Sequence, residues 1–119
     1  MGTPCSIIAQ TSDGVKSIRV NYDGGRGMLE KLKTNYTEQT KIDALMNLGD
    51  LSSLYESPEC PIGHSYNHPE RGFCIAYGRD RGEDDVEFER HDSQYEAMQE
   101  VIGNENFTYM WNGTTWEKV

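Results

Sequence analysis

FTYMWNGTTWEKV, residues 107–119, decides the fold class. The pair Asn112-Gly113 separates an aromatic stretch from a β-branched one, and Asn-Gly readily takes the positive φ angles of a two-residue type I′ turn. A terminal β-hairpin follows. In that register Trp111 opposes Thr114 and Tyr109 opposes Trp116, with Phe107 on the same face as Tyr109. So much aromatic surface on one face closes a core. The rest of the chain must supply further strands and the layer that covers them.

Moving outward to the N-terminus, SIIAQTSDGVKSIRVNY (residues 6–22) places Asp13-Gly14 between two β-prone runs, which predicts a second hairpin. Ile18, Val20 and Tyr22 alternate and should share the core face. In DGGRGMLEKLKTNY (23–36), Met28, Leu29, Leu32 and Tyr36 fall at helical spacing, with Lys31 and Lys33 on or near the wet side. TEQTKIDALMNLGD (37–50) reads as a second helix with Thr37 as cap, Ile42, Leu45 and Met46 as stripe and Gly49 at C′. The two helices should form a short αα-hairpin.

LSSLYESPECPIGHSYNHPER (51–71) holds three of the four prolines and has the composition of a long loop. GFCIAYG (72–78) reads as a buried strand and DVEFERHD (85–92) as a weaker, exposed one. Ser93 and Glu96 form a capping box for a third helix, with Tyr95, Met98, Val101 and Ile102 as its stripe and Gly103 as its end. The expected architecture is α+β: an antiparallel sheet of about five strands, including the N-terminal and C-terminal hairpins, with three helices mostly packed on one face. At 119 residues this is one compact domain, 1–119, with a long loop at about 55–72.

The net charge of -9 is unevenly spread. Residues 1–50 carry six acids and six bases, whereas residues 79–105 carry ten acids and three bases. Such a field repels nucleic acid and membrane surfaces and steers a basic partner to one side. Cys5, Cys60 and Cys74 are an odd set at irregular spacing, which argues for reduced thiols rather than a secreted disulfide framework. The start MGTPCSIIAQTSDG has no basic and apolar signal-peptide pattern, and no apolar run reaches about 18 residues. Direct nucleic-acid binding, secretion and membrane spanning are therefore not expected.

Three constellations are candidates for chemistry. Cys60, His64, His68 and Cys74 offer two thiolates and two imidazoles to a tetrahedral zinc, but their spacing does not match the usual paired-ligand patterns, and Cys74 sits in an apolar strand. Gly24, Gly25 and Arg26 precede a helix, where backbone amides attract phosphate, and Arg79 and Arg81 at alternate positions of an extended segment would point the same way. The acidic run Glu83, Asp84, Asp85, Glu87 and Glu89 lacks apolar surroundings that would tune a carboxyl for acid-base catalysis. It suits contact with a basic surface. No Cys or Ser is marked by sequence as an activated nucleophile, and no cofactor is expected.

Leu48-Gly49-Asp50-Leu51-Ser52-Ser53-Leu54 and Tyr77-x-Arg79-Asp80-Arg81-Gly82-Glu83, with Tyr22-Asp23-Gly24 before them, resemble motifs of a family of small, uncharacterised tailed-bacteriophage proteins. The resemblance spans roughly residues 5–119. A Trp-Asp-Gly-Tyr-Pro-like motif of that family is kept here only at Tyr22, Asp23 and Gly24. The resemblance implies phage origin and residence in the host bacterial cytoplasm, and no established activity.

The first functional expectation is a non-enzymatic binding protein, a monomer or small homo-oligomer, that inhibits or modulates a host factor, in particular an antiviral defence. Its acidic face, Glu83, Asp84, Asp85, Glu87 and Glu89, would occlude a basic surface that normally holds nucleic acid. The alternative is a sponge holding a phosphorylated signal nucleotide on Gly24, Gly25, Arg26, Arg79 and Arg81. A zinc-dependent hydrolase is the third possibility.

Overall fold

The computed structural model describes residues 3–101 and 107–119. Strands β1 (Cys5–Thr11) and β2 (Gly14–Val20) form the N-terminal hairpin. Thr11 pairs with Gly14, so the loop is Ser12-Asp13, one residue earlier than the Asp-Gly pair suggests. Gly14 alone takes the positive φ, 99°. The Thr11 hydroxyl accepts the Asp13 N–H (3.1 Å) and donates to the Gly14 carbonyl (2.6 Å), which favours this turn.

Ile18 and Val20 face the core as expected, but Tyr22, past the strand end, is 47% exposed. The same face carries Lys16, which is buried. Its stem crosses apolar surface, while its ammonium meets Asn47 Oδ1 (3.0 Å) and the Phe88 ring.

Helices α1 (Met28–Asn35) and α2 (Gln39–Asn47) cross over one sheet face and deliver the chain to β3 (Leu51–Ser53), parallel to β2. They lie on the sheet, α1 over the C-terminal hairpin and α2 over β1 and β2, more than against each other. Thr37 does not cap α2: the helix starts after Glu38, with no side-chain cap. Gly49 does follow its end in the left-handed region, at φ 76°. That conformation brings Gly49 against the 86–87 backbone, where a Cβ would stand 2.3 Å from the Val86 carbonyl oxygen.

From Leu54 to Cys74 the chain forms no helix or strand, only an isolated bridge of Ser57 to Phe73. The stretch 72–78 contributes a two-residue strand, β4 (Ile75–Ala76), and then turns at once into a short helix, α3 (Tyr77–Arg81). The reason is Asp80, whose carboxylate accepts the Ala76 N–H at 2.8 Å and so holds the first turn. Gly82, at φ 76°, ends it. A longer extended strand through Arg79 and Arg81 is thereby corrected.

Next come β5 (Glu89–His91), which pairs with the outer half of β2, and α4 (Gln94–Val101), whose Glu96 N–H is capped by Ser93 Oγ at 3.1 Å. Ala97 and Val101 are its buried residues and Tyr95 is 67% exposed, so the apolar stripe is rotated from the expected one. Ile102 and Gly103 lie outside the described residues.

The C-terminal hairpin is β6 (Phe107–Trp111) with β7 (Trp116–Lys118). Its register differs by two residues from the type I′ expectation: Trp111 pairs with Trp116 and Tyr109 with Lys118. Asn112 explains the change. Its side-chain oxygen accepts the N–H groups of Thr114 (2.9 Å) and Thr115 (3.0 Å), building a four-residue loop. A shift of two keeps every side chain on its face, so Tyr109, Trp111 and Trp116 still close the core.

The expected antiparallel sheet of about five strands is therefore, among the described residues, a mixed one of seven, in the order β4-β3-β2-β1-β6-β7 with β5 also on β2. β1 runs parallel to β6, and β2 to β3. Helices cover both faces, not mostly one. Cys5, Ile7, Ala9, Ile18, Val20, Tyr109 and Trp111 meet α1 and α2; Ile8, Val15 and Met110 meet Ala97 and Val101 of α4. Fully burying one such aliphatic side chain contributes roughly 1.5–3 kcal/mol. The larger cluster thus carries most of the stability.

Candidate functional site

The two sequence motifs meet in a structural junction. Asp50 N–H donates to the Val86 carbonyl (2.7 Å), Tyr77 N–H donates to the Asp50 carbonyl (3.3 Å), and Asn21 donates to Tyr77 Oη (2.6 Å). Arg79 turns inward. Its Nε and Nη2 grip Asp80 at 2.8 and 3.1 Å, Nη2 also reaches the Cys74 carbonyl (3.0 Å), and Nη1 reaches the Pro58 carbonyl. Burial alone would raise the Asp80 carboxyl, but the Arg79 and Ala76 hydrogen bonds and the Arg79 charge outweigh it and hold it below its ordinary value. Arg81 points outward, pairing with Glu83 at 3.2 Å over the Tyr66 ring. The two arginines serve different faces.

His64 completes the staple. Its Nδ1 accepts the Glu70 N–H at 2.9 Å, so the ring proton is on Nε2, which faces the Cys74 carbonyl (3.0 Å) and Asp80 (3.2 Å). Cys74 Sγ is fully buried against Tyr36 Oη (3.3 Å), whereas Cys60 and His68 are exposed. Both His64 nitrogens are thus engaged, and among the described residues no group of His, Cys, Asp or Glu is arranged to hold a metal ion. Cys60, His64, His68 and Cys74 are not brought together around one point.

The glycine turn is likewise occupied by the fold. Gly24 N–H donates to the Thr3 carbonyl (2.7 Å), and Tyr109 Oη donates to the carbonyls of Gly24 (2.8 Å) and Gly25 (3.1 Å). A Cβ on Gly24 would lie 2.6 Å from that of Cys5, which explains the glycine without a ligand. Arg26 is exposed. Among the described residues no hydrogen bond or ion pair joins this turn to Arg79 or Arg81.

The acidic segment builds something else. On the α4 face of the sheet, beside the last turn of that helix, lies a cleft of about 430 Å³. Its floor is the β1–β2 pair, with Ser6, Ser17 and Arg19, and its walls carry Asp50, Asp85, Glu87, Glu89 and Glu100. Asp85 sits in the left-handed region, at φ 61°, which bends the segment around the cleft. Asp50 joins by a route sequence alone hides: its Oδ1 accepts the Arg19 N–H at 2.9 Å. Burial, aided by the Glu89 charge, outweighs the pull of Arg19 and raises the Asp50 carboxyl above its ordinary value. Of the five acids expected to meet a partner, Asp85, Glu87 and Glu89 line this cleft; Asp84 is exposed, and Glu83 is turned to Arg81.

Two serines sit within the same cleft. Ser6 is 7% exposed, and its hydroxyl makes no hydrogen bond among the described residues. Ser17 Oγ lies 2.8 Å from His91 Nε2, and His91 Nδ1 is hydrogen-bonded to Glu100 Oε2. These residues come from β2, β5 and α4, and no sequence spacing announces them. The one available signal is the 3.6-residue period that sets Glu100 on the same side of α4 as Ala97 and Val101.

The chain matches no family model, no curated protein and no solved structure.

Proposed function

We propose that this protein is a binding protein whose acidic cleft receives basic side chains of a partner protein. The single observation that carries the reading is the convergence of Asp50, Asp85, Glu87, Glu89 and Glu100 on one concavity that also holds Ser6. Carboxylates in a recess with limited water attract a lysine or arginine more strongly than the same charges spread over a convex face. A guanidinium carries five donors, enough for two carboxylates and the serine oxygen together.

The partner is a host protein with a basic surface, one that otherwise holds nucleic acid, and the protein acts by occlusion in the bacterial cytoplasm. This setting rests on the resemblance to tailed-phage proteins. The chemistry rests on charge: a protein that presents carboxylates competes with phosphates for the same arginines and lysines.

The test is affinity capture from bacterial lysate with tagged wild-type protein and with a variant carrying amides at Glu83, Asp84, Asp85, Glu87 and Glu89. A basic protein retained by the wild type, eluted by salt and lost with the variant supports the reading. Equal retention by both removes it.

A further inference from the structure

Ser17, His91 and Glu100 have a property that a binding cleft does not require. The Glu100 carboxylate at Nδ1 takes that N–H, which leaves the Nε2 lone pair directed at the Ser17 hydroxyl at 2.8 Å. A serine with a base in hydrogen-bond reach, and the base oriented by a carboxylate, is the arrangement of an activated nucleophile. The His91 side chain is 1% exposed, so its ring is held rather than free to turn, while the Glu100 side chain is 57% exposed. Ser17 itself lines the cleft, on the floor that also carries Ser6 and Arg19. Across the β1–β2 pair Ser6 opposes Arg19 and Ile8 opposes Ser17, which makes Ser6 the diagonal neighbour of Ser17 on the same face.

We propose that Ser17 is a nucleophile for acyl transfer, with His91 as general base and Glu100 as its positioning residue, acting on esters that carry a cationic group. Ser17 Oγ attacks the carbonyl carbon and its proton passes to His91 Nε2. A bond forms between Oγ and carbon, and the carbonyl π pair moves to oxygen. The Ser6 hydroxyl, diagonal to Ser17 on the neighbouring strand, supplies the donor for this charge. Collapse breaks the bond to the leaving alkoxide, which takes the proton from His91 and departs as the alcohol. Water, deprotonated by His91, then cleaves the acyl-serine, releases the carboxylic acid and restores Ser17. No oxidant, reductant or metal enters the balance.

The five surrounding carboxylates decide the substrate class. They oppose an oxyanion unless the substrate brings a positive charge, so esters of lysine or arginine are favoured over neutral or acidic ones. The inference stands on the serine-histidine-glutamate geometry and does not depend on the partner proposed for the cleft.

The experiment treats the full-length protein with a fluorophosphonate, maps the adduct by mass spectrometry, and follows hydrolysis of Nα-acetyl-lysine and Nα-acetyl-glutamate methyl esters. The expected result is a single adduct on Ser17, faster hydrolysis of the lysine ester, and loss of both in S17A. H91N should slow labelling on the order of 100-fold. E100Q should slow labelling and shift its pH profile. Absence of an adduct on Ser17, or labelling of H91N at the wild-type rate, overturns the proposal.

Discussion

The Arg79 guanidinium holds the Asp80 carboxylate with two hydrogen bonds, Nε to Oδ1 at 2.8 Å and Nη2 to Oδ2 at 3.1 Å, and the Asp80 side chain is 1% exposed. Asp80 also joins His64 and the Ala76 N–H, so one carboxylate fastens the 58–72 loop, β4 and α3 together. Removing it leaves the Cys74 carbonyl as the acceptor that Arg79 and His64 still share. D80A should lower unfolding free energy by about 3–5 kcal/mol, the range for breaking one side of a buried pair. Chemical denaturation of the variant measures this directly.

The same pair fixes an acid limb. The Asp80 carboxyl lies below its ordinary value of 3.8 in the folded protein, so the folded state binds fewer protons there than the unfolded chain. Its contribution is complete above the ordinary carboxyl range and is lost as pH falls below it. Unfolding curves at descending pH should show a steeper acid loss in wild type than in a folded D80N protein.

Asp50 should behave in the opposite sense. Its carboxyl is raised, so deprotonation opposes folding, and stability from this group increases as pH falls toward its ordinary value. D50N keeps an oxygen for the Arg19 N–H and removes the charge beside Glu89. Its melting temperature near neutral pH should be equal to or higher than wild type, while its affinity for a basic peptide falls. A lower melting temperature would show that the charge itself is structural.

Gly49 has no room for a side chain. Its φ of 76° disfavours any L residue, and a Cβ would lie 2.3 Å from the Val86 carbonyl oxygen. G49A should cost about 2–4 kcal/mol, above the 1–2 kcal/mol of a left-handed residue alone, because the 86–87 backbone must also move. Equilibrium denaturation checks the value. The variant should also weaken peptide binding, since this contact sets the acidic wall of the cleft.

Sequence patterns revealed the parts of the fold that local chemistry determines. Both terminal hairpins, the Met28 and Gln39 helices and the Ser93 cap follow from turn residues, periodicity and capping. Three features were hidden because they depend on contacts distant in sequence. The parallel pairing of Cys5–Ala9 with Phe107–Trp111 is set by which sheet edge receives the last hairpin. Arg79 turns helical because Asp80 finds the Ala76 amide and His64, sixteen residues upstream. The cleft was half legible: the acids at 85, 87 and 89 stand out by charge, whereas Asp50, Glu100 and the Ser17–His91 pair meet them only once the sheet has formed.

Recognition of positive charge by the cleft is tested by a fluorescence-anisotropy titration of a labelled arginine-rich peptide at about 50 and 200 mM salt. Protein of wild-type sequence and a D85N/E87Q/E89Q variant should be compared side by side. The wild type should bind with an affinity that weakens with salt, and the variant should lose at least about tenfold, the equivalent of roughly 1.4 kcal/mol. Equal affinity of the two proteins at both salt concentrations, or no binding by either, would contradict it.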